Sequence, residues 1–191
     1  RYPLHEFLSI DRYFDVQSVE RKTAALDTVM FLVNEFPASV RVTDNTGRLP
    51  LHYACMNYHV DIVKYLANAY PDGAKVESLE FGLPLHCTCA SRLKFENLLP
   101  VMTHLLKIYP EAIGIRNETV GYPLECSVKS RCEKLFVHLL VQRYPGKIEF
   151  ILHRMLQDDD LLKPDLVVQY FLENFPGNVT KVDNLGQYPL H

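Results

Sequence analysis

The chain lacks a basic excess. Its 191 residues carry 20 Lys and Arg against 23 Asp and Glu, a formal net charge of −3, and the pI is near 6.2. A surface built to follow phosphates needs the opposite balance, so no nucleic-acid partner is expected. Long hydrophobic runs are missing too. None approaches the ~20 residues of a membrane helix, so direct membrane insertion is not expected. No Gly-rich phosphate loop, Gly-x-Ser-x-Gly elbow or His-Glu-x-x-His pair occurs; those spacings place a phosphate, a nucleophile or a zinc ion. Catalytic, cofactor-binding and metal-binding residues are therefore expected to be none, and the chain reads as a non-enzyme that takes no cofactor. A secretory leader is also absent. Five cysteines, an odd number, then read as reduced thiols in an intracellular, cytoplasmic setting. The sequons Asn117-Glu118-Thr119 and Asn178-Val179-Thr180 are too short a signal to outweigh that. The chain opens on Arg1 rather than Met, which reads as a window on a longer protein.

What is present is ordinary globular composition, with 48% apolar and 23% charged residues, so wholesale disorder is excluded. Within it one tetrad recurs: Tyr2-Pro3-Leu4-His5, Leu49-Pro50-Leu51-His52, Leu83-Pro84-Leu85-His86, Tyr122-Pro123-Leu124-Glu125 and Tyr188-Pro189-Leu190-His191. A second marker is an aromatic residue followed by proline, at Phe36-Pro37, Tyr70-Pro71, Tyr109-Pro110, Tyr144-Pro145 and Phe175-Pro176. The two lock together: Pro37 to Pro50, Pro71 to Pro84, Pro110 to Pro123 and Pro176 to Pro189 are each 13 positions apart. Chance does not give four equal spacings in so short a chain.

The second-marker prolines align what precedes them. Eight positions back lie Val29, Val63, Met102, Val137 and Val168; five back lie Leu32, Leu66, Leu105, Leu140 and Phe171. Four back lie Val33, Ala67, Leu106, Val141 and Leu172, and one back is the aromatic. These offsets trace one face of an α-helix, which the proline then ends. A short alternating stretch follows (Val40/Val42, Ala74/Val76, Ile113/Ile115, Ile148/Phe150) and is expected to be extended. Turns come next, clearest at Asp44-Asn45-Thr46-Gly47 and Asp183-Asn184-Leu185-Gly186, where glycine supplies positive φ. Gly82 and Gly121 stand one position later, which predicts a different turn geometry there. The tetrad proline suits the first position of a new helix. Each unit is therefore finger, turn, helix, helix.

This unit resembles the ankyrin repeat, which has a period of about 33 residues and the signature Thr-Pro-Leu-His-x-Ala. Gly47-Arg48-Leu49-Pro50-Leu51-His52-Tyr53-Ala54-Cys55, then His59-Val60-Asp61-Ile62-Val63-Lys64-Tyr65-Leu66, carry that pattern almost throughout. The departures are regular. The threonine is Leu49, Leu83, Tyr2, Tyr122 or Tyr188, and aromatic-Pro replaces the helix-ending glycine. The resemblance implies an all-α solenoid with short extended finger loops, about five helix pairs and the start of a sixth. It forms one domain over 1–191, with units at about 2–37, 38–71, 72–110, 111–145 and 146–176 and the next opening at 177–191. Roughly 13 residues are inserted around Asp11 to Thr23 and about five near Ser91 to Leu99. The fifth unit lacks turn glycine and tetrad; there Phe150–Gln157 runs into its first helix.

The resemblance also implies that His52 and His86 hydrogen-bond within and between adjacent loops. Cys55 and Cys89 take a slot that wants a small packed residue. Cys87 and Cys126 take one expected to face the concave side. A zinc site from His86, Cys87, Cys89 and Cys126 is set aside, because Cys-x-Cys is not a paired Cys-x-x-Cys framework. Asp158-Asp159-Asp160 lacks the further oxygen ligands and central glycine of a calcium loop and reads as a solvated turn.

The function implied is a protein–protein interaction module or scaffold, its partner held by finger loops and first helices. By match to the family's variable slots, the expected contacts are Asn45, Thr46, Arg48 and Tyr53, then Leu79, Glu80 and Cys87, then Glu118, Thr119 and Cys126. Two alternatives stand beside it: a structural subunit wedged in a large multi-protein assembly, or the non-catalytic repeat region of a larger enzyme or ligase.

Overall fold

The computed structural model describes residues 2–10, 19–57, 60–91 and 95–130. Four of its α-helices open on the tetrad prolines: α1 (Pro3–Ile10), α3 (Pro50–Asn57), α5 (Pro84–Ala90) and α7 (Pro123–Lys129). Proline costs nothing at a first helical position, where its missing N–H would go unbonded anyway. Between them run α2 (Val19–Glu35), α4 (Val60–Ala69) and α6 (Phe95–Ile108). Each of these three ends just before an aromatic-Pro pair, as the proline rule requires.

The chain does not go straight from that proline into an extended finger. Pro37–Arg41, Pro71–Lys75 and Pro110–Gly114 are 3-10 turns, and extended backbone begins only at Val42, Val76 and Ile115. Proline's fixed φ suits the first residue of a 3-10 turn as well as a strand. The decisive bonds are those from the amides of Ser39, Gly73 and Ala112 back to the carbonyls of Phe36, Tyr70 and Tyr109. Alternation alone could not reveal them. Val40 is buried one step inside its turn, and Val42 is half-buried just after it.

The helices stack in two rows. α1 packs on α3, α3 on α5 and α5 on α7, while α2 meets α4 and α4 meets α6. Between the rows lies the core. Val29, Val63 and Met102 are fully buried, as are Leu66, Ala67, Leu105 and Leu106 on the same face. Burying a leucine such as Leu66 is worth ~1.5–3 kcal/mol, and each unit finds that burial only against its neighbours. Among the described residues no strand forms; Ser78–Gly82 and Asn117–Gly121 are isolated antiparallel bridges. The two insertions lengthen second helices: α2 runs for 17 residues and α6 for 14, against 10 in α4. α6 carries Pro100 in its interior.

No described helix is long and apolar enough to cross a membrane. The second helix of the fourth unit, the fifth unit, Asp158–Asp160, Cys132 and the last tetrad lie outside the described residues.

Candidate functional site

Three fingers project from this stack: Asp44–Arg48, Ser78–Gly82 and Asn117–Gly121. The first is closed by backbone bonds from Asp44 N–H to Arg48 O (2.9 Å) and from Gly47 N–H to Asp44 O (3.0 Å), and a side chain reinforces them. Asp44 Oδ1 accepts from the Thr46 amide (2.8 Å), the Thr46 hydroxyl (2.8 Å) and the Arg48 amide (2.9 Å). Its Oδ2 accepts from Arg48 Nε (3.0 Å) and the Tyr53 hydroxyl (2.7 Å). Partial burial pushes the Asp44 carboxyl up, but the Tyr53, Arg48 and Thr46 donors together hold it well below the usual carboxylate range. Gly47, at φ 79°, makes the turn. The Arg48 guanidinium lies 4.6 Å from the Tyr53 ring centre and 4.9 Å from that of Phe81, a cation–π sandwich that clamps finger 1 to finger 2.

Fingers 2 and 3 close through backbone. Ser78 N–H donates to Gly82 O (2.9 Å) and Gly82 N–H to Ser78 O (3.0 Å); Asn117 and Gly121 exchange the same pair at 3.0 Å each. The glycines there have φ 66° and 81°. As their one-place offset predicts, these turns differ from the first. Asn117 uses its amide on two fingers: Oδ1 accepts from the amides of Thr119 and Val120 in its own loop, and Nδ2 donates to Glu77 Oε1 and Ser78 O in the preceding one. Asn117, itself buried, thus opens an Asx turn whose next two residues are exposed.

Cross-bonds make the fingers one row. Thr46 O accepts from the Ser78 hydroxyl (3.0 Å) and the Leu79 amide (3.4 Å), and the Thr119 hydroxyl donates to Leu79 O (3.0 Å). Below the row runs a histidine ladder. His52 Nδ1 accepts from Leu49 N–H (3.0 Å), and its Nε2 donates to Gly82 O (3.1 Å) in the next finger. His86 repeats this one unit on, taking Leu83 N–H on Nδ1 and donating to Ile115 O and Gly121 O. Both roles expected of these residues are met. Burial holds both imidazoles near pKa 4 and neutral, although the carbonyl bonds pull the other way. At the fourth tetrad Glu125 keeps the first half of the pattern, accepting from Tyr122 N–H (2.7 Å).

The expected contact residues divide. Asn45, Leu79, Glu80, Glu118 and Thr119 are exposed at the finger tips, Leu79 at 76%. Thr46 and Arg48 are half-buried and spent on Asp44, and Tyr53 is buried beneath Arg48. Cys87 and Cys126 do not face the groove. Both are buried, with Sγ donating to Phe81 O (3.7 Å) and Val120 O (3.5 Å) of the overlying fingers. Tyr53, in the same slot, is long enough to reach Asp44; a cysteine is not, and the finger closes over it. Cys55 and Cys89 pack in the interior as expected. In the sequence Asp44 stands out only as part of a turn and Asn117 only as part of a sequon, and Phe81 carries no signal, although an Asp or Asn opening a turn is a known anchor. An open cleft of about 560 Å³ separates α1 from finger 1, lined by Tyr2, Glu6, Ser9, Asn45, Arg48 and others.

Residues 19–112 match a family model described as ankyrin repeats, in three copies. The chain therefore belongs to the ankyrin-repeat family, and arrays of that kind are generally protein-binding modules. Among solved structures, it is similar to the human ASB11 ankyrin repeat domain at 18% identity and a TM-score of 0.40, over 99% of this chain and 90% of that one. No curated relative matches.

Proposed function

We propose that this chain is a non-catalytic module or scaffold that holds a protein partner along its finger row, at Asn45, Leu79, Glu80, Glu118 and Thr119. One observation carries the reading. The fingers are bonded to one another through Thr46 O, Leu79 O and the histidine ladder, with only the Thr119 hydroxyl among the tip side chains spent on those bonds, while the side chains of Asn45, Leu79, Glu80 and Glu118 are exposed. A surface ordered before contact loses less entropy when a partner arrives. Arg48, Tyr53 and Asp44 serve it by fixing the shape of finger 1. The tips present Leu79 beside Glu80 and Glu118 and carry no lysine or arginine. The complement is a partner segment with an apolar side chain flanked by basic groups.

The tetrad histidines give no support to a catalytic role, since both ring nitrogens of His52 and His86 are committed to backbone. Cys55, Cys87, Cys89 and Cys126 are thiols rather than disulfides, which supports a reducing compartment. The test is partner affinity. Leu79→Asp should weaken binding by about 2 kcal/mol, as expected of a central anchor, and Glu80→Lys with Glu118→Lys should slow association. Asp61→Ala, on α4, should change neither. Equal indifference at all four sites would move the contact off the fingers and favour the wedged-subunit reading.

A further inference from the structure

Finger 1 spends only one of the guanidinium donors of Arg48. Its Nε donates to Asp44 Oδ2, but neither terminal nitrogen, Nη1 nor Nη2, has an acceptor among the described residues. A guanidinium carries five N–H donors in a rigid fork, so four are left over. They are not loose. The plane is held between the Tyr53 and Phe81 rings, 4.6 and 4.9 Å from their centres, and the Nε bond stops it from turning. An arginine on an open surface gives up rotamer freedom when it engages a ligand, and this one has given it up already. The rings cover its faces and Asp44 covers its Nε side, leaving 17% of the side chain exposed. The Nη edge is therefore what Arg48 adds to the lining of the open cleft of about 560 Å³ between α1 and finger 1. No other described finger has such a group, since the same slot holds Gly82 and Gly121.

The charges around that edge decide what it takes. Asp44 already neutralises the guanidinium, and Glu6 adds a second carboxylate to the lining. An anion would meet those two carboxylates, and a cation would meet the guanidinium first. A neutral carbonyl meets neither obstacle and gives the fork its acceptor. Asn45 lines the same cleft, exposed and with no hydrogen bond among the described residues. Its carboxamide can accept the N–H that adjoins such a carbonyl. A carbonyl next to an N–H is the repeating unit of a polypeptide backbone.

We propose that the clamped Nη edge of Arg48, with Asn45 on the same cleft, is a main-chain reader that takes a backbone carbonyl from an extended segment of the protein partner. That occupant rests on the finger-row reading, because a segment laid along Asn45 and Leu79 passes the cleft. The two regions then have different tasks. Leu79, Glu80 and Glu118 select the partner's side chains, whereas Arg48 fixes where its backbone lies, whatever those side chains are.

The probes are end-blocked peptides selected from a random library for binding to the 1–191 chain, each rebuilt with single amide-to-ester replacements. An ester weakens the carbonyl as an acceptor and removes the adjoining N–H, so the loss is read as a coupling with Arg48. In the unaltered protein one ester position should weaken binding about tenfold, as for a hydrogen bond to a charged group. In Arg48→Lys, which keeps the charge and loses the fork, the same replacement should cost no more than about twofold. An Arg48 that only shaped finger 1 would lower the affinity of amide and ester peptides by one common factor, and that result would overturn the proposal. Where lysine disturbs finger 1, Phe81→Leu is the second variant. It frees one face of the guanidinium and should cut the ester penalty to about threefold. Selected peptides that need a carboxylate, losing affinity when it becomes a carboxamide, would also overturn the proposal. So would a library that yields no peptide whose binding depends on Arg48. Radical footprinting of Leu79 and Glu80 in the same complexes separates the two readings. Reactive tips with the Arg48 coupling intact would uphold the main-chain contact and sink the finger row; protected tips without the coupling would do the reverse.

Discussion

All three fingers share one backbone bond across the turn, from the amide of Asp44, Ser78 or Asn117 to the carbonyl four places on, but finger 1 completes its closure with a carboxylate where fingers 2 and 3 use a second backbone bond. At Asp44–Arg48 one side chain gathers five donors, and Arg48 then seals the turn between two rings. At Ser78–Gly82 and Asn117–Gly121 a glycine two places before the tetrad proline lets two amides and two carbonyls pair directly. The difference follows from one shift in glycine position. With Gly47 three places before the proline, Arg48 occupies the slot that Gly82 and Gly121 hold elsewhere; the Gly47 amide takes the Asp44 carbonyl, and the Arg48 amide turns to the Asp44 carboxylate instead. The tip of the row is the same in either case. Its sensitivity to substitution and to acid is not.

The largest contrast should come from the glycines. A Cβ on Gly82 would sit 2.9 Å from the His86 ring, and one on Gly121 would overlap the Glu125 carboxylate. Gly82→Ala should therefore cost about 2–4 kcal/mol in denaturant unfolding, left-handed strain plus overpacking. Gly47 has nothing nearer than 3.6 Å, so Gly47→Ala should cost only the strain, about 1–2 kcal/mol. Equal costs would dissolve the distinction between the two finger types. Next in size, Asp44→Ala should cost about 1–3 kcal/mol, because it strands the Tyr53 hydroxyl and two amides. Tyr53→Phe should cost about 1 kcal/mol.

Acid should separate the fingers in sequence. His52 and His86 have folded pKa values near 4 against an ordinary 6.5, so the unfolded chain takes up protons first. Their contribution to stability is complete above pH 6.5 and is lost as pH falls toward 4, loosening fingers 2 and 3. Asp44, held below its ordinary 3.8, contributes fully above that value and loses its hold only below it. Chemical shifts of Gly82 and Gly121 should move before those of Thr46 as pH is lowered. The reverse order would break the assignment. Smallest of all, Cys55, Cys87, Cys89 and Cys126 should all react slowly with a thiol reagent in the folded protein. Burial raises the Cys55 thiol to about 12 and pushes Cys87 well above its ordinary range.

Much of this was legible in the sequence because it depends on local rules. Proline spacing sets helix starts and stops, the 3.6-residue period marks the buried face of Leu66 and Leu105, and glycine position sets the turn. What escaped depends on neighbours. The 3-10 turns at Pro37, Pro71 and Pro110 share proline's φ with a strand and differ only in where the next amides bond. Cys87 and Cys126 lie in a groove-facing slot, yet their short side chains let the carbonyls of Phe81 and Val120 close over them. Phe36 sits on a periodic apolar face and is nonetheless exposed, since periodicity marks a face and does not say which of its residues the neighbouring helices cover.

The finger row itself is most directly tested by radical footprinting of the native partner complex, reading Asn45, Leu79, Glu80, Glu118 and Thr119 against Asp61 and Asn68 on α4. Protection concentrated at the five tip residues, with α4 unchanged, is the predicted result; protection of α4 with the tips still fully reactive would contradict it.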